Sequence, residues 1–241
     1  MRLALFGHGA MGRAVAECAR GAGHDIGVVL TSRDAGRTAD ELAALVRGHD
    51  VAIDFSLAGA VPIHATACVQ AGVPLVEGTT GWREQEAALL RVVQDAGGAL
   101  VYGANFSIGV NLFYRLVACA GELFRGFADY DGFIEEAHHA RKRDAPSGTA
   151  LRLRDLLAAS LGRPVPVAST RAGHIPGTHR VGFDSPVDQI VLEHSARSRD
   201  GFALGALLAA EWIARRRGVY TFEDVVEEIL TSARVNPGVG A

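Results

Sequence analysis

Lysine is almost missing from this 241-residue chain: of its 24 basic residues, Lys142 is the one lysine. Cysteine is sparse too. Cys18, Cys68 and Cys119 are odd in number, far apart and set in Ala- and Val-rich segments, and no C-x-x-C occurs. That excludes a disulfide framework and a zinc knuckle, and points to free thiols in a reducing compartment. There is no excess of positive charge. The net charge is −3, so no basic field invites nucleic acid, and the short run Arg141–Arg143 is no basic tail. Long apolar runs are also lacking. The longest uncharged stretch, Phe55 to Val76, is interrupted by Pro62, His64, Gln70 and Pro74, which excludes a membrane span. The apolar start is broken by glycines too early for a signal peptide. A cytoplasmic protein without nucleic-acid or membrane partners is expected.

What is present is a large apolar fraction, 49%, enough for a sizeable core. Over the first hundred residues two periodicities alternate. Short apolar runs at Leu3–Phe6, Ile26–Leu30, Val51–Phe55, Pro74–Val76 and Ala99–Tyr102 read as strands. Helical spacing fills the gaps at Gly12–Arg20, Ala39–Val46, Val61–Ala71 and Arg83–Ala96. This alternation predicts an α/β fold, a doubly wound parallel sheet of Rossmann type. The pattern then changes. A long helix is expected from Ile108 to about Phe127, then a strand at Gly132–Ala137, a helix opening near Ser147, and strands in "PVPVAST", "HRVGFD" and "QIVLEHSAR". Two helices, Ala203–Arg217 and Thr221–Leu230, should return to the first domain. The expected organisation is therefore a dinucleotide-binding domain from 1–106 and 200–241, and a second α+β domain with a mixed sheet from 107–199.

"GHGAMG", Gly7 to Gly12, follows the first strand and opens a helix. Its glycines suit a tight turn, close approach of a pyrophosphate and close helix–strand packing, with the phosphates at the helix N-terminus. Gly7, His8, Gly9, Ala10, Met11 and Gly12 are therefore candidate cofactor residues. NAD sites usually place an acidic residue about twenty residues later, at the end of the second strand. Here stand Thr31, Ser32 and Arg33. Ser32 and Arg33 suit a 2′-phosphate and predict NADPH as the preferred cofactor with NADH as the alternative, although Asp34 follows directly. "EGTTGW" and "YGANFS" end the fourth and fifth strands, where open α/β sheets bind ligands. They add Gly78, Thr79, Thr80, Ala104, Asn105 and Phe106 to the cofactor set.

The second cluster lies in "EAHHARKRDAPSGTA", Glu136 to Ala150. His138 and His139 leave a strand, a basic loop carries Lys142, and Ser147, Gly148 and Thr149 open a helix. Imidazoles, an ammonium, hydroxyls and a helix N-terminus make an anion pocket. Neighbouring strand residues point to opposite faces and no third ligand lies nearby in sequence, so no metal is expected. No Walker-type phosphate loop occurs.

With "GHGAMG", "DFS", "EGTTG" and "ANFSIGVN", this stretch resembles the dihydrodipicolinate reductase family of lysine and diaminopimelate biosynthesis, collinearly over nearly the whole chain. The resemblance implies reduction of a cyclic dicarboxylate imine, 4-hydroxy-tetrahydrodipicolinate, by NADPH or NADH. It also implies a homotetramer built through the second domain's sheet. His138 then falls on the proton donor and Lys142 on the catalytic lysine. His139, Ser147, Gly148, Thr149 and Thr80 fall on substrate contacts, and Arg199 on an arginine near the site. The chain departs from the pattern in its shortened second domain and in having Thr31 and Ser32 where an acidic residue is frequent. Rival readings are a same-fold aspartate dehydrogenase-like enzyme and a non-catalytic NADP-binding regulator.

Overall fold

In the computed structural model, which describes residues 1–235, strand β3 (Val51–Asp54) is buried at every position. A strand covered on both faces of a parallel sheet requires this. It lies between β1 (Arg2–Phe6) and β4 (Leu75–Glu77), with β2 (Asp25–Leu30) beyond β1 and β5 (Ala99–Tyr102) beyond β4. Four helices connect them: α1 (Ala10–Gly21), α2 (Ala39–Val46), α3 (Val61–Ala71) and α4 (Arg83–Asp95). Local chemistry sets several of their ends. Thr38 and Glu41 exchange hydrogen bonds across the first turn of α2, each bonding the other's backbone N–H. Gly72 ends α3 in the left-handed conformation, which costs glycine little.

The chain divides into two units, residues 1–108 with Arg199 onward, and Gly109–Ser198. The expected domain end at Ala241 lies outside the described residues. The last elements of the first unit are α7 (Asp200–Ile213), β10 (Gly218–Thr221) and α8 (Phe222–Val235). The sequence pattern missed β10, because its four residues sit between two helices and leave no room for a period to show. It pairs in parallel with β5 and completes a six-stranded sheet of order β10-β5-β4-β3-β1-β2. Helix α7 consequently stops at Ile213 and does not run on to Arg217. Its buried face is small, with Ala203, Gly205, Ala206, Ala209 and Ala210, so it packs tightly. A Cβ on Gly205 would come 1.7 Å from the Phe106 carbonyl oxygen, so only glycine lets the helix cross the turn after β5.

The second unit holds α5 (Ile108–Phe124, all but its first residue), β6 (Asp131–His138), α6 (Gly148–Leu161), β7 (Val167–Arg171), β8 (Thr178–Asp184) and β9 (Gln189–Ser195). Its sheet has the order β7-β6-β8-β9, with β6 and β7 parallel and the other pairs antiparallel, the expected mixed sheet. Ile134, Val181 and Phe183 meet Phe113 and Val117 of α5 and Leu153, Leu157 and Leu161 of α6 in one core. The register continues on this covered face with a polar row: Ser169, Glu136, His179 and His194 lie side by side across the four strands. An apolar core thus ends in a polar line in which Glu136, His179 and His194 are titratable. Those residues begin the site.

Candidate active site

In the first unit, four strand-end turns interlock. Gly7 sits at φ +92°, and a Cβ there would lie 2.4 Å from the Phe55 carbonyl oxygen. A Cβ on Gly12 would lie 2.2 Å from the Gly7 oxygen, whereas Gly9 faces open space among the described residues. Tight turn, close packing and open approach are therefore distributed as a pyrophosphate loop needs. Helix α1 carries no acidic residue in its first turn, so its N-terminus keeps its attraction for phosphate. The Phe55 ring fills the space beside Gly78, where a Cβ would meet it at 2.1 Å. Thr79 is held through every polar atom. Its N–H donates to Glu77 at 2.6 Å, its hydroxyl accepts from Ser56 N–H at 3.0 Å, and its carbonyl accepts from the Trp82 indole at 2.7 Å. The oxygen of the Asn105 side chain accepts from Ser107 N–H at 2.9 Å. A nucleotide cofactor fits this cradle.

At the end of β2, Ser32 and Arg33 lie exposed in a short 3-10 turn, Ser32–Asp34. Asp34, the acidic residue that follows directly, is engaged locally. Its carboxylate accepts Thr31 N–H at 2.9 Å and pairs with Arg37 at 2.9 Å. Those two contacts, the Thr31 N–H first, hold its carboxyl below the usual range.

The second unit holds His138, His139, Lys142, Ser147, Gly148 and Thr149 of the expected residues. Ser147 caps α6, its Oγ accepting from Ala150 N–H at 3.2 Å, which leaves Gly148 and Thr149 in the first turn of the helix. Glu136, only 2% exposed, is the hub. Arg171 reaches both its oxygens, at 2.8 and 2.7 Å, Ser147 N–H donates to it at 3.2 Å, and His138 Nδ1 lies 2.5 Å from Oε2. Burial by itself would raise the Glu136 carboxyl, but Arg171, Ser169, His138 and Ser147 N–H together hold it at about 2. An ionised Glu136 accepts the Nδ1 proton of His138, leaving Nε2 as the atom that exchanges protons. That Nε2 stands next to Gly177, where a Cβ would approach it to 3.1 Å.

Burial lowers the His138 pKa from its ordinary value, with Glu136 opposing the shift. The near-neutral donor expected from sequence is therefore a weaker base before an anion binds. His179 is pushed down to about 4, chiefly by burial and then by His138. As a neutral ring it shares a hydrogen bond with the Ser147 hydroxyl through Nε2, 3.0 Å away. Lys142 is bridged to Asp144 at 2.9 Å, and Arg171 also donates to the Asp144 carbonyl at 2.5 Å, tying the basic loop to the hub. His139 has a buried Nδ1 without a partner among the described residues, the kind of orphan that a bound anion satisfies. Arg199, in contrast, precedes α7 in the first unit.

Glu136, His138 and His179 place ligand atoms within 4.8 Å of one another, a spacing a metal could use. The donor set speaks against it. Both Glu136 oxygens are engaged by a guanidinium, and each imidazole already spends a nitrogen on a neighbour, so a cation would have to break the network.

Sequence reasoning missed Glu136, Arg171, His179 and Asp144. Glu136 was within reach, since two residues before His138 on a strand means the same face. Arg171 is 35 residues from Glu136, and His179 is 32 from Ser147; only strand pairing joins them.

Comparison with known proteins gives one answer. Residues 1–106 match the family model for dihydrodipicolinate reductase, N-terminus, and residues 109–226 the model for its C-terminus. The chain is 34% identical over 241 residues to 4-hydroxy-tetrahydrodipicolinate reductase of Christiangramia forsetii, covering 95% of this chain and 99% of that protein. It is 39% identical over 194 residues to the protein of the same name from Methanosarcina barkeri, 73% of each chain. A solved dipicolinate-bound dihydrodipicolinate reductase from Paenisporosarcina sp. TG-14 shares the fold, with TM-score 0.77 at 23% identity over 93% of this chain and 98% of that one. With both halves matched and their strand-end turns and Glu136–His138 hub in place, the chain belongs to the dihydrodipicolinate reductase family.

Proposed function

We propose that the protein reduces 4-hydroxy-tetrahydrodipicolinate to tetrahydrodipicolinate in lysine and diaminopimelate biosynthesis, with NADPH preferred. The observation that carries the reading is the Glu136–His138 contact beside the Ser147-capped helix, in a chain of this family. The dinucleotide, when bound, supplies the hydride. The chain's own residues do the rest. The N-terminus of α6, Ser147, Gly148, Thr149 and His139 hold the two substrate carboxylates. Fixed anchors of this kind convert a loose encounter into an oriented one. Loss of the ring hydroxyl as water leaves a C=C bond conjugated to the imine. Hydride adds to the ring carbon at the far end of that conjugated system, and negative charge moves toward the ring nitrogen and the adjacent carbon. Lys142 stabilises that charge, and His138 Nε2 delivers the proton.

Gly7 to Gly12, Gly78 to Thr80 and Ala104 to Phe106 receive the dinucleotide. Ser32 and Arg33 bind its 2′-phosphate, a reading supported by Asp34's commitment to Thr31 and Arg37. The tetramer forms through the open face of the second sheet, where Phe133, Gly182 and Val191 lie in register and Val191 is 43% exposed. No helix among the described residues is long and apolar enough to cross a membrane, and the three cysteines are free, as a cytoplasmic enzyme would have them. The family places this reading above an aspartate dehydrogenase or a silent NADP-binding regulator. Oxidation of NADPH that depends on the cyclic imine tests it. Activity toward aspartate instead, or none with the imine, would overturn it.

A further inference from the structure

The chemistry above leaves one buried group of ionisable side chains without a task. Asp54 ends β3 and Glu77 ends β4, the two stand side by side in the register of these paired strands, and both are 0% exposed. His64 of α3 stacks on Phe6 with ring centroids 4.1 Å apart and brings Nδ1 to 2.6 Å from Asp54 Oδ2. The Thr79 hydroxyl donates to Asp54 Oδ1 at 3.3 Å, and Thr79 N–H donates to Glu77 Oε1 at 2.6 Å. Glu77 Oε2 is buried and meets no donor among the described residues. The charge acting on it is the Asp54 carboxylate.

Two ionised carboxylates offer only acceptors, and in a buried place both cannot keep their charge. A proton on one turns a repulsive contact into a hydrogen bond. We propose that Glu77 is a positioning residue: it holds a proton shared with Asp54, and this shared proton fixes Thr79 and the Gly78–Thr80 turn in the form that receives the dinucleotide. The inference rests on the cofactor reading given above. Burial, and then the Asp54 charge, push the Glu77 carboxyl well above the usual range, against the opposing pull of Thr79. The groups facing the pair are Thr79 and Ser56 of the turns, His64 and Cys68 of α3, and Tyr102, which pairs with Glu77 from β5. Of these, only His64 can carry positive charge.

An acid whose pKa is raised in the folded protein keeps its proton at neutral pH and loses it as pH rises through the raised value. Two buried like charges then stand beneath Thr79, and the turn loosens. Affinity for NADPH should fall on the alkaline side.

The test uses the full-length protein and its Glu77→Gln variant. Glutamine can accept Thr79 N–H with its oxygen and donate to Asp54 with its nitrogen, so it mimics the protonated form permanently. NADPH affinity is measured by fluorescence titration from neutral to alkaline pH, and infrared spectroscopy reads the carbonyl stretch of a protonated carboxyl. We expect that stretch in the unmodified protein at neutral pH and not in the variant. We also expect NADPH binding to the unmodified protein to weaken by about tenfold per pH unit beyond the raised pKa, as one coupled proton dictates. The variant should hold its neutral-pH affinity within about twofold across the range, since its amide hydrogen bonds do not titrate in this range. Absence of the protonated carboxyl at neutral pH overturns the proposal. An alkaline loss in Glu77→Gln equal to that of the unmodified protein overturns the positioning role. If neither protein binds NADPH while the protonated carboxyl is present, the cofactor reading fails, taking the positioning role with it and leaving the shared proton standing.

Discussion

His138 Nδ1 lies 2.5 Å from Oε2 of Glu136, and Arg171 grips the same carboxylate through both terminal nitrogens. The contact decides two properties of the proposed proton donor: which nitrogen is left to exchange a proton, and how easily the ring is charged. Glu136 opposes the burial that lowers the His138 pKa. The guanidinium keeps Glu136 ionised, so that opposition persists wherever the enzyme works.

Glu136→Gln should therefore move the alkaline limb of the kcat–pH profile to lower pH. With protonated His138 as the proposed donor, the rate falls as pH rises through its pKa, and losing the carboxylate lowers that pKa further. A shift of one unit costs roughly tenfold in kcat on that limb. NMR titration of the His138 ring follows the same shift without turnover. An unchanged His138 titration would falsify the orienting role of Glu136.

The same carboxyl makes a prediction about acid stability. Its folded value of about 2 lies below the usual carboxylate range, so its contribution is present above the unfolded value and lost as pH falls toward 2. Denaturant unfolding of Glu136→Gln should show a shallower loss of stability across that acid window than the unmodified protein. Parallel curves would count against an ionised Glu136.

Lys142→Arg should lower kcat on the order of a hundredfold, the range for one acid–base or electrostatic group. Arginine keeps the charge but is a bulkier planar fork that does not replace a compact ammonium. Lys142 is 25% exposed and bridged to an exposed Asp144, so the melting temperature should hardly move. Near-normal kcat in the variant would make the lone lysine an accident of composition.

Arg33→Asp should reverse or flatten a preference for NADPH. A charge-assisted contact to the 2′-phosphate contributes about 1.5–3 kcal/mol, roughly tenfold or more in affinity. The ratio of kcat/KM for the two cofactors is the measurement. Equal or better efficiency with NADH in the unmodified protein would sink the assignment.

Gly177→Ala tests the space around the donor. Gly177 has φ +135°, and its added Cβ would sit 3.1 Å from His138 Nε2, so the substitution strains the backbone and crowds the proton-transfer atom together. We expect kcat to fall by about tenfold or more, within the range for impairing one proton donor, with NADPH binding unchanged. Chelator treatment should leave the unmodified enzyme active. A stoichiometric metal lost together with activity would show that Glu136, His138 and His179 are ligands after all.

Most of the elements were legible because their signals are local. α2 and α3 have the bounds their periodicity predicted, Ala39–Val46 and Val61–Ala71, and Thr38 with Glu41 marks one of those starts by adjacent hydrogen bonds. β10 was not legible, since "GVYT" shows no pattern of its own and becomes a strand only because β5 offers it an edge.

The sequence by itself determined the alternation of strands and helices, the glycine loop after β1, and the His138–Thr149 stretch. Each depends on residues within a few positions of one another, where backbone sterics, turn chemistry and period act directly. The tertiary structure decided what those residues do. Strand register set Glu136 beside Arg171 and His179, a capping contact tied the Asp34 carboxylate to Thr31 N–H, and the turns after β3 and β4 closed around Thr79. Charge and proton position are set by burial and by partners dozens of residues away, and those distances exist only once the chain has folded.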